Sequence, residues 1–256
     1  DVTLDSTGDQ NTDDISLAAV IGAGGGTQDL ILDAGALAQI TASGSITNLT
    51  DISIRDSGGA TFGGAVTASN DFIISESAGD IIFNGALTAG TFTQTADANT
   101  AYNLQFNAGG TITDAVNFSN AGTVTIGDGT GTDVMTFTGG LIVTTPTALT
   151  LAQTIATTNQ TMTLGDTGDG ATGITLAADT ILNAGSGAIN INGAVTGDNN
   201  SLALNTTGNA TINGIISGIT TLTTNANGLT VINANVSSSG NQQYNDSVMF
   251  NGTRVL

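Results

Sequence analysis

The chain has 256 residues and a net charge of −19, and this composition excludes several classes of protein. Its 21 acidic residues are balanced by only Arg55 and Arg254. Phosphate binding needs clustered Lys and Arg, so nucleic acid is not expected as a partner. The absence of Cys excludes a disulfide framework and a thiolate nucleophile. No apolar run approaches the roughly 20 residues that span a bilayer, so membrane insertion is not expected either.

Short strands with alternating apolar side chains are predicted along the whole chain. In each of them two large apolar residues flank one residue that is usually small or polar, which places the pair on one face of a strand. In chain order, the clearest examples are 30–32, 52–54, 72–74, 104–106, 124–126, 149–151, 162–164, 174–176, 189–191, 202–204 and 229–231. No stretch has convincing helical periodicity, because the nearest candidates, 16–21 and 34–40, lack charged faces.

Two sets of sequences recur at a spacing of 20 or 21 residues (83 − 62 = 21; 212 − 191 = 21; 232 − 212 = 20). The segment 83–87 repeats the pattern of 62–66, and 191–195 is followed by 212–216 and 232–236. Short strands and turns at this period are typical of a stacked solenoid. The sequence therefore predicts an all-β, parallel β-helix over 1–256 as a single repeat domain, with about 12 coils from dividing the length by the repeat.

The same register predicts which side chains stack inside the coils. Phe62 should lie over Phe83, and Ile191, Ile212 and Ile232 should follow one another in the same column. The polar residues of the repeat are predicted to form corners, and these are Asn84, Gly85, Asn192, Gly193, Asn213, Gly214 and Asn233.

Each corner residue type has an expected use. Stacked Asn amides can hydrogen-bond from coil to coil, as in the ladders of cross-β stacks. The following Gly is expected to adopt a positive φ and to turn the chain without a Cβ clash. A generic hairpin turn is the alternative interpretation of Asn-Gly, and the 21-residue register favours the solenoid corner.

Carboxylates in Gly-rich loops suggest calcium binding, because Ca²⁺ prefers hard oxygen ligands in flexible loops. The candidate ligands are Asp128 and Asp133 in the loop 127–133, Asp166 and Asp169 in the loop 165–170, and a third cluster of Asp9, Asp13 and Asp14. Neither loop matches an EF-hand. Asp and Gly are also common turn formers, so a purely structural role stands beside the calcium hypothesis. No other cofactor is expected.

Catalysis is not expected. Glycoside hydrolysis needs two carboxylates across a cleft, but the chain has no His, Cys or Lys and only one Glu, Glu76. A general base beside a cationic stabiliser is therefore hard to assemble. A carbohydrate-binding or polysaccharide-degrading β-helix stays open as an alternative. An ice-binding β-solenoid is a further alternative, suggested by Thr-x-Thr runs such as 91–93 and 123–125, although strand alternation explains these runs more simply.

The corner sequences, together with the segments 92–95, 202–208 and 240–248, resemble those of the large β-strand-repeat surface proteins of Gram-negative bacteria. These proteins are similar to filamentous haemagglutinin-type adhesins, and the resemblance covers nearly the whole chain. It implies a right-handed parallel β-helix that is exported to the cell surface. It also implies a role in adhesion, biofilm or extracellular fibres, with cell-surface or matrix glycans as candidate partners.

The two ends of such a stack are expected to be sticky. Unpaired strand edges template association unless a charge, a Pro or a cap blocks them. The chain has no Lys, its single Pro is Pro146, and neither terminus resembles an amphipathic cap. We therefore expect a segment of a longer chain or fibre, joined end to end to a second copy or to more of the same chain.

Overall fold

The computed structural model describes residues 1–7, 13–23, 27–95, 101–168 and 172–256, and in these residues the protein contains strands and no helix. The first fifteen strands are β1 (Val2–Asp5), β2 (Ile15–Leu17), β3 (Val20–Ile21), β4 (Leu30–Gly35), β5 (Ile40–Ala42), β6 (Ile46–Leu49), β7 (Ile52–Ser57), β8 (Ala60–Phe62), β9 (Val66–Ile74), β10 (Ile81–Phe83), β11 (Leu87–Gln94), β12 (Leu104–Phe106), β13 (Gly110–Ile112), β14 (Val116–Phe118) and β15 (Thr123–Ile126). The others are β16 (Val134–Phe137), β17 (Leu141–Val143), β18 (Ala148–Thr157), β19 (Met162–Leu164), β20 (Gly173–Gly185), β21 (Ile189–Ile191), β22 (Val195–Thr196), β23 (Leu202–Thr206), β24 (Asn209–Ile212), β25 (Ile216–Ile219), β26 (Leu222–Thr224), β27 (Leu229–Ile232), β28 (Val236–Ser238), β29 (Gln242–Tyr244) and β30 (Ser247–Phe250).

Successive strands lie on three faces in turn, and every pairing is parallel. The first face consists of β2, β5, β8, β10, β12, β15, the starts of β18 and β20, β22, β25 and β28. The second consists of β3, β6, the starts of β9 and β11, β13, β16, the ends of β18 and β20, β23, β26 and β29. The third consists of β1, β4, β7, the ends of β9 and β11, β14, β17, β19, β21, β24, β27 and β30. The chain is thus a β-solenoid of about 11 turns, and the predicted all-β stack of parallel coils is confirmed.

The coil length varies more than the sequence repeat predicts. Equivalent residues one coil apart are separated by 20 positions at Asn213 and Asn233, but by 28 at Asp1 and Asp29 and by 18 at Asn233 and Asn251. The coil from Asp1 to Asp29 is longer because more residues separate β1 from β2 and β3 from β4 than separate most later strands, and a longer connection costs little. These longer coils explain why the chain makes about 11 turns and not 12.

Alternating side chains fill the interior as predicted. On the first face, Phe83 pairs with Phe62 and with Phe106, and their ring centroids are 5.1 and 5.2 Å apart with interplanar angles of 11° and 6°. On the third face, Ile191 pairs with Ile212 and Ile212 pairs with Ile232, and all three side chains are buried. A single coil could not bury these side chains alone, so each coil is stabilised by its neighbours.

Candidate functional site

The repeated Asn-Gly corners lie on two different edges of the solenoid. Asn84 connects β10 to β11, between the first and second faces, and its Oδ1 accepts a hydrogen bond of 2.8 Å from Asn107 Nδ2. A longer ladder lies between the third and first faces and joins Asn192, Asn213, Asn233 and Asn251, with Nδ2–Oδ1 distances of 2.8, 2.6 and 2.6 Å. The sequence predicts one class of corner, whereas the same local motif lies at two edges of the structure.

The glycines of these corners are needed for close approach and not for a left-handed backbone. The φ angles of Gly85, Gly193 and Gly214 lie outside the left-handed region, so the expectation of a positive φ is wrong. A Cβ on Gly85 would lie 2.2 Å from the carbonyl carbon of Gly64, and one on Gly214 would lie 1.9 Å from the oxygen of Gly193. Backbones of successive coils therefore touch at these corners, and only Gly leaves room for them.

Many carboxylates serve as acceptors for backbone N–H groups of the following coil. Asp14 Oδ1 accepts from the N–H of Gln39 at 2.8 Å, and Asp179 Oδ1 accepts from the N–H of Ser201 at 2.8 Å. Asp51 Oδ1 accepts a hydrogen bond of 3.0 Å from the backbone N–H of Asp71 in β9. Backbone donors need a partner wherever a corner interrupts the strand ladder. Asp at these positions supplies that partner, which gives part of the negative charge a structural use.

Of the four residues predicted to bind calcium, the three that the structure describes lie on two different edges of the solenoid. Asp128 and Asp133 lie between β15 and β16, at the edge of the first and second faces. Asp166 lies between β19 and β20, at the edge of the third and first faces. Asp169 lies outside the described residues, as does Asp9 of the third cluster. In the part of the chain that the structure describes, no three carboxylates converge as ligands for a metal ion.

The hydrogen bonds of these loops are those of tight turns. Asp128 Oδ1 accepts from the backbone N–H of Thr130 at 2.7 Å and from its hydroxyl at 2.9 Å, and these two bonds lower the pKa of the Asp128 carboxyl. Asp166 Oδ1 accepts from the N–H of the next residue at 2.6 Å. An Asp that bonds to the backbone one or two residues further on is typical of a turn. These bonds fit a turn-forming role for Asp128 and Asp166, and calcium binding stays a prediction.

A carboxylate column in the N-terminal half lies at the edge of the third and first faces. Asp5 pairs with Asp33 and Asp33 pairs with Asp56 in successive coils. Asp33 is buried and forms an ion pair of 3.5 Å with Arg55. Desolvation raises the pKa of Asp56, and the charges of Glu76 and Asp33 raise it further. Asp56 is therefore a carboxylate whose ionised form is disfavoured in the fold.

Replacing Asp56 by Asn is expected to stabilise the protein at neutral pH. A carboxyl whose pKa is raised by folding destabilises the native state when ionised, so the stability of the parent should rise as pH falls through that raised pKa. The Asp56→Asn variant should lack this rise, and the gap between the two unfolding free energies should close at acidic pH. Urea unfolding across this range measures it, with Asp114→Asn as an exposed control. A gap that stays constant with pH would contradict the assignment.

The first coil exposes apolar side chains at the end of the stack. Val2 and Ile21 are 52 % and 76 % exposed, and with Leu4, Val20 and Leu49 they line a pocket of about 400 Å³. Among the described residues, β1, β2 and β3 each pair with a strand on one side only. Free strand edges beside exposed apolar residues are typical of a surface that accepts further β-structure.

The coil formed by β28, β29 and β30 closes its interior with polar groups. Tyr244 Oη donates to Gln242 Oε1 at 2.8 Å, and burial raises the pKa of Tyr244 to about 12. The carboxylate of Asp246 accepts from the hydroxyls of Thr224 at 2.8 Å and Thr230 at 2.9 Å, and both Thr residues are buried. A cap was predicted at neither terminus, and this hydrogen-bonded layer was not predicted from the sequence. Gln242 and Tyr244 at inward positions were its one visible signal.

One groove and the Thr-x-Thr runs are the described surface features that bear on the two alternative functions. A groove of about 240 Å³ beside residues 139–140 is lined by Asn117, Ile142, Thr163 and their neighbours, none of which is charged or aromatic. In the Thr-x-Thr run 123–125, Thr125 pairs with Thr150, but Thr123 pairs with Ala148. One column of hydroxyls continues there and the second does not, whereas an ice-binding face needs aligned hydroxyls.

The described residues contain no helix that could span a membrane. Comparisons with protein-family models, with curated proteins and with solved structures find no match to this chain.

Proposed function

We propose that this chain is a structural segment of a secreted or cell-surface β-helical filament or adhesin, in which it acts as a rigid spacer. The observation that carries the proposal is the unbroken register of the first face, where each strand from β5 to β25 pairs with a neighbour on both sides. In such a stack each coil contacts only the coils beside it, so the number of coils sets the length of the rod.

Axial extension is the second part of the proposal. The exposed apolar residues and free strand edges of the first coil support contact with a further coil, from the same chain or from a second copy. The net charge of −19 would keep the sides of neighbouring rods apart and leave the ends as the place of contact. Extracellular location and a role in attachment, biofilm or fibre assembly belong to the proposal through the sequence resemblance. The spacer needs no catalytic or glycan-binding site within this segment.

A distance between two spin labels tests the spacer directly. Ser16 in β2 and Ser237 in β28 are both exposed on the first face, and the chain has no Cys, so Ser16→Cys and Ser237→Cys give two unique labelling sites. The path β2–β5–β8–β10–β12–β15–β18–β20–β22–β25–β28 contains ten steps. At roughly 4.8 Å a step, electron spin resonance should record a narrow distance distribution near 48 Å.

The matched control pairs Ser16→Cys with Thr125→Cys in β15, five steps along the same face. Its distance should be about half of the longer one, near 24 Å. Broad distributions, or a long distance that is much less than twice the short one, would show that the coils do not form a rigid rod.

A further inference from the structure

The chain contains five Asn-Gly pairs, and the structure holds them in three different ways. The pairs begin at Asn84, Asn192, Asn213, Asn227 and Asn251. In three of them the side-chain amide of the Asn belongs to a ladder and the N–H of the Gly donates to a carbonyl of the preceding coil. These bonds are Gly85 to Phe62 at 3.4 Å, Gly193 to Leu164 at 3.2 Å and Gly214 to Ile191 at 3.1 Å.

Asn227 and Gly228 have neither restraint. They lie in the exposed corner between β26 and β27, with φ angles of +73° and +137°. Among the described residues, the Asn227 side chain has no hydrogen-bond partner and the Gly228 N–H has none. Asn251 is intermediate, because its amide donates to Asn233 at 2.6 Å while the N–H of Gly252 has no partner among the described residues.

We propose that Asn227 is a site of spontaneous deamidation. The backbone nitrogen of Gly228 loses its proton and attacks Cγ of Asn227, so that a new N–Cγ bond forms. The Cγ–NH₂ bond then breaks and the amide leaves as ammonia, which produces a five-membered succinimide. Water adds to one of the two ring carbonyls and opens the ring to Asp or isoaspartate. One water is consumed and one ammonia is released, with no change in oxidation state.

The three ladder corners are protected by the same geometry that stacks the coils. Attack requires a free glycine nitrogen and an Asn side chain that can swing towards it. At Asn84, Asn192 and Asn213 both groups are already engaged, so the corner must first open locally before it can react. Local opening slows a reaction in proportion to the rarity of the open state, and we expect the protected corners to react at about a tenth of the rate or less.

The test follows all five sites in one sample of the unmodified protein. Folded protein is held at mildly alkaline pH, and peptide mass spectrometry locates each Asn that has become Asp or isoaspartate. Asn227 should react first, Asn251 second, and the three ladder sites last. A parallel sample unfolded in urea should lose this order, because all five pairs then have the same local sequence chemistry. If Asn227 in the folded protein reacts no faster than Asn84, Asn192 and Asn213, the proposal is wrong.

A pair of variants provides an independent readout by charge. Each deamidation adds one negative charge, which ion-exchange chromatography resolves. Asn227→Gly should abolish the fast charge change, and Gly fits the positive φ at this position. Asn84→Gly is the matched control, since the equivalent corner one coil earlier already carries Gly63, and it should leave the fast change intact. A fast phase that persists in the first variant would overturn the assignment to Asn227.

Discussion

Replacing Phe83 by Ala is expected to lower the free energy of unfolding by about 3–5 kcal/mol. Phe83 is 1 % exposed, and its ring lies between the parallel rings of Phe62 and Phe106. It also meets Phe72 edge to face, at a centroid distance of 5.2 Å. Removing the ring leaves a cavity between two coils that the strand ladders hold at a fixed spacing, so the neighbours cannot collapse into it.

Urea unfolding followed by circular dichroism measures this loss, and Phe250→Ala is the matched control. Phe250 is the same residue type in the same solenoid, but it lies in the last strand and its side chain is 47 % exposed. Its removal should cost about 1 kcal/mol or less, because little apolar area is lost from the interior. Equal losses of unfolding free energy for the two variants would contradict the view that the stacked rings of Phe62, Phe83 and Phe106 stabilise the coils that contain them.

The substitution Gly214→Ala is expected to be nearly as damaging, although it adds only one methyl group. The new Cβ would lie 1.9 Å from the carbonyl oxygen of Gly193 and 2.3 Å from its carbonyl carbon. Both are backbone atoms, so no side-chain rotation relieves the contact. We expect a loss of about 3 kcal/mol or more, at the upper end of the range for overpacked sites.

Gly173→Ala is the control for this variant, since a Cβ at Gly173 would meet no atom within 4 Å. The same chemical change should there be neutral or slightly stabilising, because Ala restricts the unfolded chain more than Gly does. Thermal unfolding of the two variants side by side separates close approach from the general cost of losing a Gly. Tolerance of Ala at position 214 would mean that adjacent coils do not touch at the Asn corners.

Stacking of the coils could be predicted from the sequence because it depends on local patterns. Alternation within three residues decides which side chains point inward, as at 189–191 and 202–204, and a constant spacing of repeats places Ile191 under Ile212. The alternation is visible within one strand, and the spacing is visible in any segment that contains two repeats. The repeat therefore predicted the core column correctly, even where coil lengths differ elsewhere.

The edge on which a corner lies could not be predicted. Each coil contributes one strand to each of the three faces, so the edge is known only when every preceding strand has been identified. Some strands, such as β3 and β22, contain only two residues and have no visible alternation. One missed strand moves every later corner to another edge. For that reason the corners at Asn84 and Asn192 were predicted as one class, although they lie on different edges. The polar layer around Asp246 was missed for a related reason, since Thr224 and Thr230 meet it only after the coils are stacked.

The direction of the hydrogen bonds determines how such a rod would respond to tension. Strands run around the solenoid, so the bonds between them point along its long axis, and tension applied to the two ends would load them lengthwise. Each interface between coils would bear the whole force, and the weakest would open before the others. A released coil of about 20 residues spans roughly 70 Å when extended, against about 4.8 Å when stacked. A pulled rod would therefore lengthen in large steps, which absorb work one coil at a time and leave the remaining coils folded.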